Sequence, residues 1–567
     1  MNINIKSKFG LRSVRRSNLF LVSLMSVLLV TSLLSCVLVV GAADPLIVGT
    51  EAELKAAVTN AESGVPVVIA LNKDITLTAS LSISDGKNIT LTNVGSGEFK
   101  LIGAAEVSTI IVERGGLLRL DGIIVTHPNR VSGCGVNVTS GGTLILVSGM
   151  IFNNTVSEGG GVANYGNFTM IGGSVSNNTA VELGGGVLNC GNFTVSKGVV
   201  SNNTGPDGGV ANYGNFTVTG GEFFGNRICG VFNAGNFTMS GGKIFNNLGS
   251  GVVIDYNGNF SMRDGEIYRN NADIGGGVYI SSSYGIGNFT MSGGMIFNNT
   301  ATELGGGVYN EGSVFRLSGG VISNNTANVG GGVYANGGNF SVSGGIISNN
   351  TAASGGGVYS HLSNFAMSNG ELFNNTARNN GGGAYIYGGA FNMTGGKISS
   401  NTAGGNGGGI GTPLFSGLEY VYVYNSAVFA NNRASTSYDR RSEHDSLYDS
   451  RIGRSVTWTS PFKQGYNNYD ISYINSDQQG GGTSSPKPSA SDSTNPPSNT
   501  NTPSPSDNPG SSETVVNLLR IVIIVAIITG LIVAVMYFYM SKKKAPTVAK
   551  DWVDSAGSVD STNSTFV

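Results

Sequence analysis

Carboxylates are the residues to weigh first, because a polysaccharide-cleaving site needs several of them converging, with Arg, Lys or Ca²⁺ beside them. Glu158, Glu182, Asp207, Glu222, Asp255, Asp273, Glu303 and Glu371 are instead scattered along the chain. The tightest grouping, Asp264 and Glu266 between Arg263 and Arg269, reads as a solvated ion-pair patch. His444, between Glu443 and Asp445 and near Arg440 and Arg441, is a second constellation, in a stretch whose charges suit the protection of a sheet edge. His127 and His361 have no acidic or Cys neighbours at metal-ligand spacing, so no metal is expected. The glycine triplets lack the Lys-Ser/Thr of a phosphate loop and the regular Asp of Ca²⁺-binding repeats, so no cofactor is expected either. A net charge of −2 with 12% charged residues carries no nucleic-acid footprint.

Two repeated side chains are better placed to act. Tyr279, Tyr309, Tyr334, Tyr359 and Tyr385 each follow a glycine-rich step ending in Val or Ala. Strand alternation turns them outward if that Val or Ala faces in, which predicts an aromatic stripe able to contact a sugar polymer or a protein, or a ladder that only braces neighbouring units. Asn167, Asn192, Asn215, Asn236, Asn259, Asn288 and Asn339 each begin an N-x-Ser/Thr sequon, as do Asn153, Asn177, Asn298 and Asn349. These are candidate N-glycosylation sites, or Asn and Thr retained for bends and strand faces. Stacked glycans on adjacent units would crowd, so at most about every second site is fillable at a spacing of about 4.8 Å.

The elements that must hold these residues are repeats. The string GNFTMSGG recurs with small changes, its Phe falling at 168, 193, 216, 237, 260, 289, 315, 340, 365 and 391, a period of about 25 residues. Each unit predicts three short strands, illustrated by residues 288–294, 295–300 and 305–310, separated by Gly, Asn and Ser. Phe289 and Met291 share one face and must point inward, and only stacking on the next unit can bury them. Abundant Gly and Asn, with little Ala, Leu, Glu or Lys, argue against helical repeats. The expected fold is an all-β, right-handed parallel β-helix with three-strand coils. In it the Asn pairs take left-handed bends and bond to their copies above and below.

Residues 44–130 read as a capping helix followed by the first coils. Thr50 and Glu53 form a capping box, Leu54, Ala57, Val58 and Ala61 share a face, and Gly64 stops the helix. The repeat array covers 131–435 and a C-terminal cap 436–477. Residues 478–513, rich in Ser, Pro, Gly and Thr, form a disordered linker. Residues 1–43 have the basic, apolar and small-residue order of a signal peptide cleaved after Ala43, although an uncleaved signal anchor also fits their long apolar run. The apolar stretch 521–540, inside a membrane segment spanning 514–541, is followed by Lys542, Lys543 and Lys544. This predicts a single-pass type I protein with an extracellular ectodomain and a cytoplasmic tail, 542–567. Cys134, Cys190 and Cys229 allow one disulfide and a leftover thiol.

GGGV steps (275–278, 305–308, 355–358) alternating with apolar-x-x-Asn steps (175–178, 223–226, 296–299) resemble the repeats of the chlamydial polymorphic outer-membrane proteins and similar surface proteins. The resemblance covers roughly residues 130–435, and residues 458–471 look like the segment that closes such arrays. It departs in having Gly where those proteins usually have Ala, and a membrane helix where they carry a barrel. What it implies is an adhesin-like, non-catalytic cell-surface protein that binds glycans or surface proteins. An extracellular polysaccharide lyase or hydrolase on the same scaffold, and a structural envelope component, are the competing readings.

Overall fold

The computed structural model describes residues 44–128, 131–413, 420–424, 426–435, 447–449, 454–456 and 471–473. The expected signal peptide, linker, membrane segment and tail, the His444 constellation and most of the 436–477 cap lie outside the described residues. No helix among the described residues is long and apolar enough to cross a membrane.

The chain winds as a parallel β-solenoid. One coil begins with Asn288–Phe297, continues through Thr300–Leu304 and returns along Val308–Glu311. Phe289, Met291 and Ile296 point into the coil and are fully buried, with Val308 closing the core from the opposite side. Three of these meet their own copy in the next coil, Phe289 opposing Phe315, Ile296 opposing Ile322 and Val308 opposing Val333, while Met291 opposes Leu317. The result is a column of ten Phe rings from Phe168 to Phe391, adjacent centroids 4.5–5.0 Å apart. That separation matches the spacing of hydrogen-bonded strands, so in-register stacking alone sets it.

Two details of the expected coil are corrected. The segments 288–294 and 295–300 are not separate strands, because the Ser-Gly-Gly step bends the ladder as a bulge without breaking it, with Gly294 at φ +78°. A further short strand follows the Asn pair, where Thr351–Ala352, Thr376–Ala377 and Thr402–Ala403 pair in register and bury their alanines.

The Asn pairs behave as their chemistry demands. The first of each pair sits at positive φ, for example Asn298 at 54° and Asn349 at 56°. The second turns inward and joins a buried ladder of twelve asparagines from Asn154 to Asn432. Asn299 is typical: its backbone N and Nδ2 donate to Asn325 Oδ1 (2.9 and 3.1 Å), Nδ2 also donates to the Ile267 carbonyl (2.9 Å), and Oδ1 accepts from Asn270. Successive rungs are separated by as few as 21 residues (Asn226 to Asn247) and as many as 31 (Asn401 to Asn432), and the difference is absorbed in the bends. His127 takes the position before Asn154, buried, with Nδ1 2.8 Å from Asn154 Oδ1 and Nε2 3.0 Å from the Val107 carbonyl.

The α-helix Glu51–Asn60 opens on the expected capping box, Thr50 accepting from the Glu53 amide while the Glu53 carboxylate accepts from the Thr50 amide. It ends at Ala61, ahead of Gly64, and buries Leu54 and Val58 against the core that contains Ile69 and Leu71. Four coils then carry Leu and Ile inside before the interior column turns aromatic, Leu118 opposing Leu144 and Leu144 opposing Phe168. At the far end Ile471–Tyr473 extends the return face beyond Ile410–Thr412.

Candidate functional site

The return face places the five tyrosines in one column. Tyr279, Tyr309, Tyr334, Tyr359 and Tyr385 stack at centroid separations of 5.1–5.3 Å. They point away from the coil interior, as alternation requires, yet the expected exposed stripe is not there. Tyr309, Tyr334 and Tyr385 are only 5%, 8% and 5% exposed, and the other two are half-buried. The covering comes from the glycine triplets. Gly275, at φ +58°, lies so close to Tyr279 that a Cβ there would fall 2.7 Å from the tyrosine Cβ, and the same approach recurs between Gly305 and Tyr309 and between Gly381 and Tyr385. Tyr279 donates to Glu311 Oε2 at 2.7 Å, and burial raises the phenol pKa of all five. Because Tyr309, Tyr334 and Tyr359 each have a neighbouring ring on either side, these three offer no open flat platform.

A second aromatic column, which the repeat pattern did not single out, lies on the outer side of the bent sheet. Phe224, Phe245, Tyr268 and Phe297 follow the core apolar residue (Phe223, Ile244, Ile267 and Ile296) of four successive coils and stack at 5.1, 5.0 and 4.9 Å with nearly parallel planes. They are half-exposed. Its signal is an aromatic at the second position of the apolar-x-x-Asn step, visible only when the coils are aligned one below another.

The sequon asparagines of the GNFT strings form an outer ladder. Asn167, Asn192, Asn215, Asn236, Asn259 and Asn339 are exposed and Asn288 is half-buried. Asn192 Nδ2 donates to Asn167 Oδ1 (3.0 Å), Asn215 to Asn192 (3.1 Å) and Asn236 to Asn215 (3.1 Å). A groove of about 490 Å³ runs beside this ladder, bordered by Tyr165, Cys190 and Tyr213.

The three cysteines do not pair. Cys134 and Cys229 are buried and four coils apart, a separation of about 19 Å at the strand spacing and far beyond disulfide reach. Cys190 is exposed in the groove. Burial pushes the Cys134 thiol up to about 12 and Cys229 higher still. Of these three, a maleimide reagent is therefore expected to modify only Cys190 in the folded protein and all three after denaturation; rapid labelling of Cys134 without denaturant would contradict the burial.

The acidic residues stay apart. Glu266 pairs weakly with Lys243 (3.9 Å), Asp264 accepts from the Gly265 amide, and Glu371 pairs with Lys397 (2.8 Å), whose hydrogen bond lowers its pKa. Among the described residues no three His, Cys, Asp or Glu side chains come together in a way that could hold a metal. His361 Nδ1 donates to Asn336 Oδ1 (2.8 Å), and its ring lies against Tyr387. Comparison with protein-family models, with curated proteins and with solved structures gave no match.

Proposed function

We propose that this chain is a non-catalytic, adhesin-like surface protein, whose solenoid presents repeated lateral columns to glycans or partner proteins outside the cell. The observation that carries this reading is the register of outward side chains: aromatic rings follow one another over four coils in the outer aromatic column, and asparagines over successive coils in the outer Asn ladder. Such a surface offers many equivalent weak contacts, and their linkage raises avidity without any single deep pocket. The resemblance of the GGGV and apolar-x-x-Asn steps to those of β-helix surface proteins points the same way.

In this reading the coils wind right-handed, as parallel crossovers do, and the helix Glu51–Asn60 covers the first coil. Residues 1–43 direct export, residues 514–541 anchor the chain as a type I membrane protein, and the Ser- and Pro-rich linker holds the solenoid off the bilayer. The exposed sequon amides accept N-glycans on alternate coils, since a glycan at Asn192 displaces the hydrogen bond to Asn167 and crowds Asn215.

Purified full-length protein is expected to bind a subset of an immobilised panel of glycans and cell-surface proteins, while releasing no reducing ends from polysaccharides. Absence of binding across the panel, or sustained release of reducing ends, would overturn the reading.

A further inference from the structure

The outer aromatic column is interrupted in a regular way. Below Phe297 the in-register residues are Ser323 and Ser348, and the next is Phe373. The same arrangement occurs above the four-ring stack, where Ser176 and Ser201 separate Phe152 from Phe224. Each interruption is a gap two coils wide, floored by serines and walled by aromatic rings about 14 Å apart, three strand spacings.

The walls differ in kind from the rings inside the stack. Phe245 has a neighbour on each face, at 5.1 and 5.0 Å. Phe297 has Tyr268 on one face, at 4.9 Å, and only a serine on the other. Phe373 stands between Ser348 and Ser399 and is 38% exposed. The gap thus restores the flat aromatic faces that stacking removes elsewhere.

Of its remaining borders, one edge is polar and the other apolar, and the charges nearby are paired. Asn324 Nδ2 lies 3.5 Å from Ser323 Oγ and Asn349 Nδ2 lies 3.4 Å from Ser348 Oγ, so amides and hydroxyls alternate along one edge. The outward residues of the same strands on the other edge are Val321 and Ile346. The nearby Glu371 is already paired with Lys397. With Lys397 engaged by Glu371, these borders offer no free cation to a phosphate-bearing ligand, which disfavours stacked nucleotides on charge grounds.

We propose that these gaps, and chiefly the one between Phe297 and Phe373, bind neutral saccharide rings. The apolar C–H face of a pyranose packs on the bare face of Phe297 or Phe373, continuing the stack at about one coil step, and its hydroxyls meet the exposed amides of Asn324 and Asn349, which reach the largely buried Ser323 and Ser348, 9% and 6% exposed. This deepens the surface-binding reading proposed above and rests on it, since a buried or intracellular solenoid would meet no such polymer.

The test uses full-length protein and saturation-transfer NMR with cellobiose, maltose and N,N′-diacetylchitobiose as probes. Transfer to the ring C–H protons of at least one disaccharide is expected. The double variant S323F/S348F, which fills the gap by continuing the aromatic column, should reduce that signal at least fivefold without loss of the β-sheet circular dichroism. Val181→Ser, a change at a side chain 69% exposed on the separate strand Thr179–Leu183, away from the aromatic column, should leave it within twofold. Equal transfer to the filled variant and the wild type would overturn the gap as the site while leaving surface binding intact. Transfer to none of the three sugars would likewise overturn it, and the wider reading would then stand or fall on the panel of surface proteins.

Discussion

Asn299→Leu is expected to destabilise the solenoid by about 3–6 kcal/mol, because it removes one amide and strands several others in a dry core. The side chain of Asn299 donates to Asn325 and to the Ile267 carbonyl, and its oxygen takes two donors from Asn270. Leucine has the same γ-branched shape but is larger and satisfies none of these groups, and each buried unpaired donor or acceptor costs about 1–3 kcal/mol. Chains of aligned amides also polarise one another, so a break weakens rungs on both sides. Asn298→Gly, one residue away, is expected to change stability by less than about 1 kcal/mol, because that position demands only positive φ, and the equivalent place two coils earlier, before Asn247, is filled by Asn246 at 51° while Gly225 stands at 63° one coil before that. Urea unfolding of the two variants beside the wild type checks the contrast. Equal effects at 298 and 299 would show that the inner ladder carries no special share of stability.

The second large effect is expected at Phe289→Ala, with a loss of about 3–5 kcal/mol. Phe289 is fully buried and lies between Phe260 and Phe315, with both ring separations at 4.9 Å and planes within 7°. Truncation leaves a cavity that the neighbouring coils cannot close, because their own strands are fixed by hydrogen bonds on either side. The loss should also be local. In a stack where each coil touches only its neighbours, stability is a sum of unit and interface terms. Hydrogen exchange is therefore expected to accelerate in the strands around Phe260, Phe289 and Phe315 and to remain unchanged near Phe391. Uniform acceleration along the whole array would indicate a single cooperative unit instead.

How much of this was legible in the residues depends on what alternation can say. The period, the inward Phe and Met, the positive-φ asparagines and the capping box at Thr50 all follow from local chemistry, and the structure places them accordingly. Alternation also put the five tyrosines on the correct side of their strand. It could not tell whether an outward side chain meets water, because that depends on the glycine bend that folds back over Tyr279 and its copies. The outer column of Phe224, Phe245, Tyr268 and Phe297 escaped notice for a related reason. A repeat motif emphasises what is constant, whereas this column changes between Phe, Tyr and Ser from coil to coil, and its pattern emerges only with the register in hand. The short Thr-Ala strands were hidden because two residues are too few to show a period. The absence of a disulfide follows from geometry that spacing along the chain does not reveal, since Cys134 and Cys229 are held on different coils.

The uneven distance between rungs of the inner ladder, 21 residues at one step and 31 at another, has a bearing on how such a molecule changes over generations. Alignment is enforced by a few inward groups, and the bends between them accept extra sequence freely. Near-identical repeats in a gene invite unequal crossing-over, which adds or deletes whole units. Between equivalent positions of the coils from Phe168 to Phe391, the junction left by such an event places an asparagine over an asparagine and a phenylalanine over a phenylalanine. Copy number is therefore free to drift, and the number of coils can be adjusted by recombination without inventing a new fold.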